Sequence, residues 1–179
     1  MRFLHPDMYV SNLFNIDTGK LKKSGIKAIV FDLDNTIVPW GCSKLEDEML
    51  GWFAKLQKEG FKTCIVSNNT EERVSELSGL LSIPGIHKAS KPRRRAFIKA
   101  MRLLDVRPEE MAMVGDQVFT DVLGAKRLGM YTILVVPISK KEFFGTRINR
   151  QLEKMVLRQI KHRLIGNQEL RVRSQESKR

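Results

Sequence analysis

The chain has 179 residues, a formal net charge of +12 and 42% hydrophobic residues, which predicts one globular domain with a buried core. Two cysteines are too few for a disulfide framework and indicate a reducing compartment. The first residues lack the apolar core of a signal peptide, and no run is long enough to cross a membrane, so we expect a cytoplasmic protein.

The hydrophobic pattern predicts strands that alternate with helices along most of the chain. The first apolar residues, from Met8 to Phe14, predict a short helix laid on the domain. Ser43 is predicted to cap the first helix of the domain. We expect strands over residues 26–33, 61–66, 86–89, 111–114 and 131–136, with helices over residues 43–59, 71–81, 93–104 and 120–128. This alternation predicts an α/β protein whose parallel sheet is flanked by helices.

The end of the chain is strongly basic. Residues 140–179 contain twelve Lys or Arg and four Asp or Glu, a net charge of +8. Residues 146–165 predict an amphipathic helix, and residues 166–179 form a polar basic tail. The basic face predicts an anionic partner, either a membrane surface or, less strongly, a nucleic acid. Alternatively, the apolar stripe packs on the domain and the basic face is simply solvated. Residues 1–165, including this helix, are predicted to form a single domain.

Polar residues follow four of the predicted strands at the point where each strand ends. The carboxyl ends of parallel strands lie at one edge of a sheet, where α/β proteins bind their ligands. Burying two acids beside an apolar strand is unfavourable unless a cation or hydrogen-bond donors compensate them. The residues at these four strand ends are Asp32 with Asp34, Ser67 with Asn68, Lys91, and Asp116 with Asp121.

This order of residues resembles the four motifs of the haloacid dehalogenase (HAD) superfamily of phosphohydrolases. The first motif, DxDxT, matches Asp32, Asp34 and Thr36, and the second and third match Ser67 and Lys91. The fourth, GDxxxxD, matches Gly115, Asp116 and Asp121. The resemblance implies a Rossmann-like HAD fold.

The proposed roles follow the chemistry of a phosphate dianion, whose attack by a carboxylate needs neutralising charge and donors. Asp32 is suited to be the nucleophile, and Asp34 to be the general acid and base. The expected Mg²⁺ ligands are Asp32, the main-chain carbonyl of Asp34 and Asp116. The expected substrate-binding residues are Ser67, Asn68 and Lys91. Thr36 and Asp121 are expected to contact the metal-binding residues and hold them in place.

A closer resemblance extends from the HPDMYV leader to about Leu157. The segments FDLDNTIVPW, IVSNN, VGDQVFTDVLGAKRLGM and TRINRQLE are similar to YqeG-like proteins of HAD subclass IIIA. That subclass is related to phosphatidylglycerophosphate phosphatases, so the resemblance implies this lipid phosphate as the substrate. It also implies access to an anionic bilayer, which a peripheral contact at the inner face of the membrane would provide.

The spacing of the motifs leaves no room for a cap domain. Only a few residues separate Val38 from the next helix, and one helix and a short strand fit between Ser67 and Lys91. An open site suits a bulky or surface-held substrate, such as a lipid head group, a protein or a nucleic-acid end.

Other functions remain open from the sequence. The chain could be a HAD phosphatase acting on a nucleotide, a protein or another phosphorylated substrate, or a basic nucleic-acid-binding module with an inert phosphatase site. A phosphorylated receiver domain is disfavoured because its acceptor aspartate stands alone after a central strand. A phosphomutase is disfavoured because it usually needs a cap to exclude water.

Overall fold

The computed structural model describes residues 2–139, which all belong to one compact unit. None of the helices in this range is long and apolar enough to cross a membrane. The predicted helix over residues 146–165, the tail over residues 166–179 and the predicted domain end at residue 165 lie outside the described residues.

Six parallel strands form one sheet in the described chain. Their order across the sheet is β1-β6-β5-β2-β3-β4, so β2 lies in the interior between β5 and β3. The predicted parallel sheet is therefore confirmed, and the carboxyl ends of all six strands share one edge. The strands are β1 (Met8–Val10), β2 (Ala28–Phe31), β3 (Lys62–Val66), β4 (Gly85–Ile86), β5 (Met111–Gly115) and β6 (Tyr131–Val135).

Helices cover both faces of this sheet. The helices are α1 (Thr18–Lys23), α2 (Asp47–Lys58), α3 (Glu71–Leu80), α4 (Arg95–Leu104) and α5 (Leu123–Lys126), and a π-helical turn (Val118–Val122) precedes α5. Helices α1, α2 and α3 pack on one face, and α4 and α5 pack on the other. Short 3₁₀ turns occupy Arg2–Leu4, Leu13–Asn15 and Pro108–Glu110.

Strand β2 is an all-apolar strand because both of its faces are buried. Ile29 and Phe31 belong to one core, while Ala28 and Val30 belong to the other. Trp52 and Phe53 of α2 pack edge-on against Phe31, with ring centroids 5.8 and 4.9 Å away. This packing fixes β2 at the centre of the molecule and therefore fixes the position of the residues that follow it.

Two local predictions were wrong. Met8–Val10 is an edge strand rather than a helix, because it pairs in parallel with β6, more than 120 residues away in the chain. Ser43 does not cap a helix, since α2 begins at Asp47, and the Ser43 hydroxyl instead donates to Glu76 Oε2 at 2.9 Å. Both errors come from partners that are distant in the sequence.

No inserted cap domain is present among residues 2–139. Eight residues separate Val38 from α2, and only α3 and β4 lie between Ser67 and Lys91. Within the described residues, the segments that follow β2 and β3 at the carboxyl edge of the sheet are therefore short.

Candidate active site

Asp32 lies at the carboxyl end of the central strand. Its backbone N–H donates to the carbonyl of Val114 at 2.8 Å, which continues the pairing of β2 with β5 by one residue. Its side chain is only 8% exposed. Burial raises the pKa of Asp32 to about 6, although the nearby Lys91 ammonium opposes this effect. Ionisation of Asp32 is thus less favourable than in water, and further positive charge at the site would stabilise its ionised form.

Lys91 reaches Asp32 from the loop between β4 and α4. Its Nζ lies 2.6 Å from Asp32 Oδ1 and 2.7 Å from Asp121 Oδ1, and its side chain is 2% exposed. Burial lowers the pKa of Lys91, but the carboxylates of Asp121 and Asp32 outweigh burial, so the pKa is raised overall. Lys91 is therefore a buried ammonium held between two acids.

Asn68 anchors the backbone of Lys91. The Lys91 N–H donates to Asn68 Oδ1 at 2.7 Å, and Asn68 Nδ2 donates to the carbonyl of Lys91 at 3.4 Å. This pair of bonds joins the end of β3 to the loop that carries the lysine. The contacts support a role for Asn68 in positioning Lys91, while its predicted contact with substrate stays a prediction.

Asp116 and Asp121 come from the end of β5 and from the π-helical turn after it. Both are buried, and Asp121 Oδ2 accepts a hydrogen bond from the backbone N–H of Gln117 at 3.2 Å. One carboxylate oxygen from each of Asp32, Asp116 and Asp121 lies within 4.8 Å of the others. The π-helical turn brings Asp121 back toward Asp116, as such turns often do at functional sites.

These residues fit a divalent cation. Three buried carboxylates and one ammonium give Asp32, Asp116, Asp121 and Lys91 a combined formal charge of −2. Carboxylate oxygens are the ligands that Mg²⁺ prefers, and burial makes uncompensated negative charge unfavourable. The arrangement can therefore hold a divalent cation against the same carboxylate that Lys91 contacts.

The side chain of Asp34 makes a separate set of contacts. Its Oδ1 accepts from Arg73 Nη2 at 2.6 Å and from Arg73 Nε at 3.1 Å, and its Oδ2 accepts from Asn69 Nδ2 at 2.7 Å. The Asp34 side chain is 17% exposed, more than that of Asp32. Its carboxylate is thus fixed at the outer side of the site.

Two further predicted residues are buried at this edge. Ser67, at the end of β3, accepts through Oγ from the backbone N–H of Asn69 at 3.2 Å. Thr36 is 1% exposed, and its hydroxyl has no hydrogen-bond partner among the described residues. The structure therefore gives no hydrogen bond by which Thr36 would support the ligands, and that role stays a prediction.

Sequence analysis did not identify Arg73 and Asn69 as site residues. Asn69 directly follows the strand-end pair Ser67 and Asn68, and Arg73 lies in the first turn of α3. The sequence offered one signal for Arg73, a basic residue in the first turn of the helix that follows a strand-end motif. No sequence pattern indicated that Arg73 contacts Asp34, which lies 39 residues earlier.

Comparisons with known proteins identify the family. Residues 40–129, half of the chain, match the haloacid dehalogenase-like hydrolase family. The chain is 43% identical over 162 residues to the "Probable phosphatase YqeG" of Bacillus subtilis, covering 90% of this chain and 94% of that protein. It is 27% identical to the chloroplastic/mitochondrial phosphatidylglycerophosphate phosphatase 1 of Arabidopsis thaliana, covering 88% of this chain but 48% of that protein.

A solved structure shares the fold. The crystal structure of an uncharacterized protein from Listeria monocytogenes superposes with a TM-score of 0.53 at 20% identity, covering 66% of this chain and 85% of that one. This likeness agrees with the parallel sheet and flanking helices described above. The sequence matches show that the chain belongs to the haloacid dehalogenase-like hydrolases and is a phosphatase that hydrolyses phosphoric monoesters.

Proposed function

We propose that this phosphatase is Mg²⁺-dependent, works through an aspartyl-phosphate on Asp32, and acts on phosphatidylglycerophosphate. The observation that carries the mechanism is the buried cluster of three carboxylates around Lys91. Asp32 is the member of this cluster at the end of the central strand, where its oxygen can meet a phosphate that approaches the carboxyl edge.

The Mg²⁺ ligands in this proposal are Asp32, Asp116 and the main-chain carbonyl of Asp34. Asp121, which shares the carboxylate cluster and contacts Lys91, holds these groups in place. A bound Mg²⁺ would neutralise charge on the phosphoryl oxygens and on Asp32. The ion would also favour the ionised form of Asp32, whose pKa burial raises to about 6.

The first chemical step forms the covalent intermediate. An Asp32 carboxylate oxygen attacks phosphorus, the bond from phosphorus to the leaving oxygen breaks, and Asp34 gives its proton to that oxygen, so an alcohol departs. Lys91 and the hydroxyl of Ser67 stabilise the charge on the transferred group. The contacts of Lys91 with Asp32 hold the ammonium next to the bond that forms.

The second step releases phosphate and restores the enzyme. The Asp34 carboxylate accepts a proton from a water molecule, and the water oxygen attacks phosphorus. The bond between phosphorus and the Asp32 oxygen breaks, and inorganic phosphate leaves with Asp32 ionised and Asp34 protonated. Asp34 thus acts as acid and then as base, and it must stay within reach of the same phosphorus in both steps.

Two observations support a lipid phosphate as the substrate. The Arabidopsis relative is named a phosphatidylglycerophosphate phosphatase. A groove of about 460 Å³ lies at the carboxyl edge of the sheet and is lined by segments that follow β1, β2 and β6, including Phe14, Val38 and Ile138. Thr36 of the first motif forms part of its wall. An apolar groove beside the catalytic loop suits a substrate with an apolar part next to its phosphate.

A phosphate-release screen tests the substrate. Phosphatidylglycerophosphate in detergent micelles, a nucleotide, a sugar phosphate and a phosphopeptide are compared with Mg²⁺ present, and Asp32→Asn serves as the blank. We expect the highest kcat/KM for the lipid phosphate. Rapid turnover of another class with the lipid ignored would contradict the substrate, and activity retained by Asp32→Asn would contradict the mechanism.

A further inference from the structure

Arg73 is a partly buried charged side chain to which the four motifs assign no function. It lies in the first turn of α3, seven residues beyond the end of β3, and its side chain is 14% exposed. A guanidinium this enclosed needs several acceptors, since each unsatisfied N–H would be unfavourable. The identity of these acceptors indicates what the residue does.

Arg73 joins the Asp34 carboxylate to the loop that precedes α2. Besides its two bonds to Asp34 Oδ1, its Nη2 donates to the carbonyl of Cys42 at 2.9 Å, and its Nη1 donates to Ser43 Oγ at 3.4 Å. The Ser43 hydroxyl in turn donates to Glu76, one turn further along α3. A single side chain thus ties together the first motif, the following loop and α3.

Asp34 is held by three donors from two residues. Arg73 supplies two N–H groups to one carboxylate oxygen, and Asn69 supplies one to the other oxygen, at 2.6 to 3.1 Å. A side chain fixed at both oxygens has lost its freedom to rotate about the terminal torsion. Both donors come from the segment that follows β3, as does the predicted phosphate-binding hydroxyl of Ser67.

We propose that Arg73 is a positioning residue that holds the Asp34 carboxyl on the leaving-group side of the phosphate. This inference rests on the proposed function, in which Asp34 transfers the proton. Proton transfer in the transition state depends on the distance between the acid and the leaving oxygen, so an acid free to rotate is present at the right place only part of the time. Short loops alone frame the site in residues 2–139, and Arg73 supplies the rigidity there.

Lysine cannot replace arginine in this role. The guanidinium reaches Asp34, the Cys42 carbonyl and the Ser43 hydroxyl at the same time because its five N–H donors point in fixed directions. An ammonium on a flexible stem has the same charge but no fixed geometry. Comparing Arg73→Lys with Arg73→Ala therefore separates the effect of the positive charge from the effect of the guanidinium geometry.

Leaving-group dependence separates positioning of the acid from general support of the fold. Phenyl phosphate and 4-nitrophenyl phosphate have nearly the same shape, but the nitrophenolate leaves without needing a proton. We expect Arg73→Ala to lower kcat/KM for phenyl phosphate by about 100-fold and kcat/KM for 4-nitrophenyl phosphate by less than about fivefold, because kcat/KM reports the steps up to departure of the alcohol, before Asp34 acts as the base. Arg73→Lys should show the same pattern, more weakly, and it replaces Arg73→Ala if that variant fails to fold.

Two reference variants make the result decisive. Asp34→Asn should show the same leaving-group dependence in kcat/KM, and adding Arg73→Ala to it should lower kcat/KM no further, because Arg73 acts through Asp34. Arg102→Ala, which removes an exposed arginine of α4, should leave both substrates unaffected.

Two outcomes of this experiment would contradict different parts of the proposal. If Asp34→Asn shows the dependence but the Arg73 variants lower kcat/KM equally for both esters, Arg73 serves the fold alone and the inference is overturned. If Asp34→Asn itself shows no dependence, Asp34 is not the general acid, and the proposed function fails in that step together with this inference.

Discussion

Lys91 is the residue whose charge holds the buried acids together. Its ammonium lies within 2.7 Å of carboxylate oxygens from both Asp32 and Asp121, and the three side chains are 2%, 8% and 1% exposed. Removing one partner of a buried ion pair leaves the other charge buried without compensation. The stability of the metal-free protein should therefore depend on this one side chain.

We expect Lys91→Met, which removes the charge and keeps most of the length of the side chain, to lower the free energy of unfolding of the metal-free protein by about 3 to 5 kcal/mol. Urea denaturation in the presence of a chelator measures the change. The matched control is Lys99→Met, an exposed lysine on α4, which should change stability by less than about 0.5 kcal/mol. Equal effects of the two substitutions would contradict the contacts described for Lys91.

The raised pKa of Asp32 predicts an unusual pH dependence of the free energy of unfolding. Burial raises its pKa from 3.8 to about 6, so between these pH values the folded protein keeps a proton that the unfolded chain has lost. The folded state then binds more protons, and stability falls as pH rises through this window. The loss is about 3 kcal/mol, since a tenfold change in an equilibrium constant corresponds to about 1.4 kcal/mol.

Asp32→Asn should abolish this loss of stability at higher pH. With chelator present, the variant should be more stable than the parent protein at pH 7, by up to about 3 kcal/mol, and equally stable at pH 4. Urea unfolding at several pH values, with Lys91, Asp116 and Asp121 unchanged around the site, measures the difference. A variant less stable than the parent protein at pH 7 would show that the ion pair with Lys91 outweighs burial.

At the scale of elements, the turn from β5 into the π-helical segment depends on Gly115. A Cβ at this position would lie 2.2 Å from Asp121 Oδ2 and 2.7 Å from Asp121 Cβ. No side chain fits there unless Asp121 moves, and Asp121 contacts Lys91. The glycine therefore permits the close approach of β5 to the acid that follows it.

We expect Gly115→Ala to keep the fold, to cost about 1 to 3 kcal/mol of stability, and to lower kcat by about 100-fold through displacement of Asp121. Steady-state kinetics and thermal melting measure the two effects. Gly79→Ala is the matched control in α3, where an added Cβ meets nothing within 4 Å. That variant should keep full activity and gain about 0.5 to 1 kcal/mol. Full activity in Gly115→Ala would contradict the packing described.

The sequence predicted the elements whose signal is local. The buried strand Ala28–Phe31 and helices α2 and α3 follow from apolar runs and helical spacing. The edge strand Met8–Val10 could not be predicted in this way, because three half-buried residues become a strand only through pairing with β6. The same limit applies to Arg73, whose acceptors come from the first motif and from the loop before α2.

The site itself was more predictable than its contacts. Strand-end acids, a serine and a lysine could be placed at one edge because a parallel sheet aligns its carboxyl ends. The pairing of Lys91 with Asp121, and the turn of the Asp34 side chain toward Arg73, depend on loop conformations that no local pattern specifies. The basic segment from residue 140 onward lies outside the described residues, and its contact with an anionic membrane stays a prediction.

At the scale of the whole molecule, cation binding should stabilise the fold. Ligand that binds only the folded state adds about 2.7 kcal/mol at a concentration one hundred times its Kd. We therefore expect Mg²⁺ to raise the melting temperature relative to chelator, and Asp116→Asn to abolish most of that rise. Asp105→Asn, an exposed acid after α4, should keep the full rise. An unchanged rise in Asp116→Asn would place the cation elsewhere.

The central claim is that Asp32 carries the phosphoryl group during turnover. The most direct measurement is acid quenching of the protein during hydrolysis of a phosphomonoester, followed by mass spectrometry of all its peptides, including the one that contains residues 28–44. We predict one phosphate on Asp32, sensitive to hydroxylamine as an acyl phosphate is and absent in Asp32→Asn. A phosphate found on Ser67 or another residue would contradict the account, as would full turnover by Asp32→Asn.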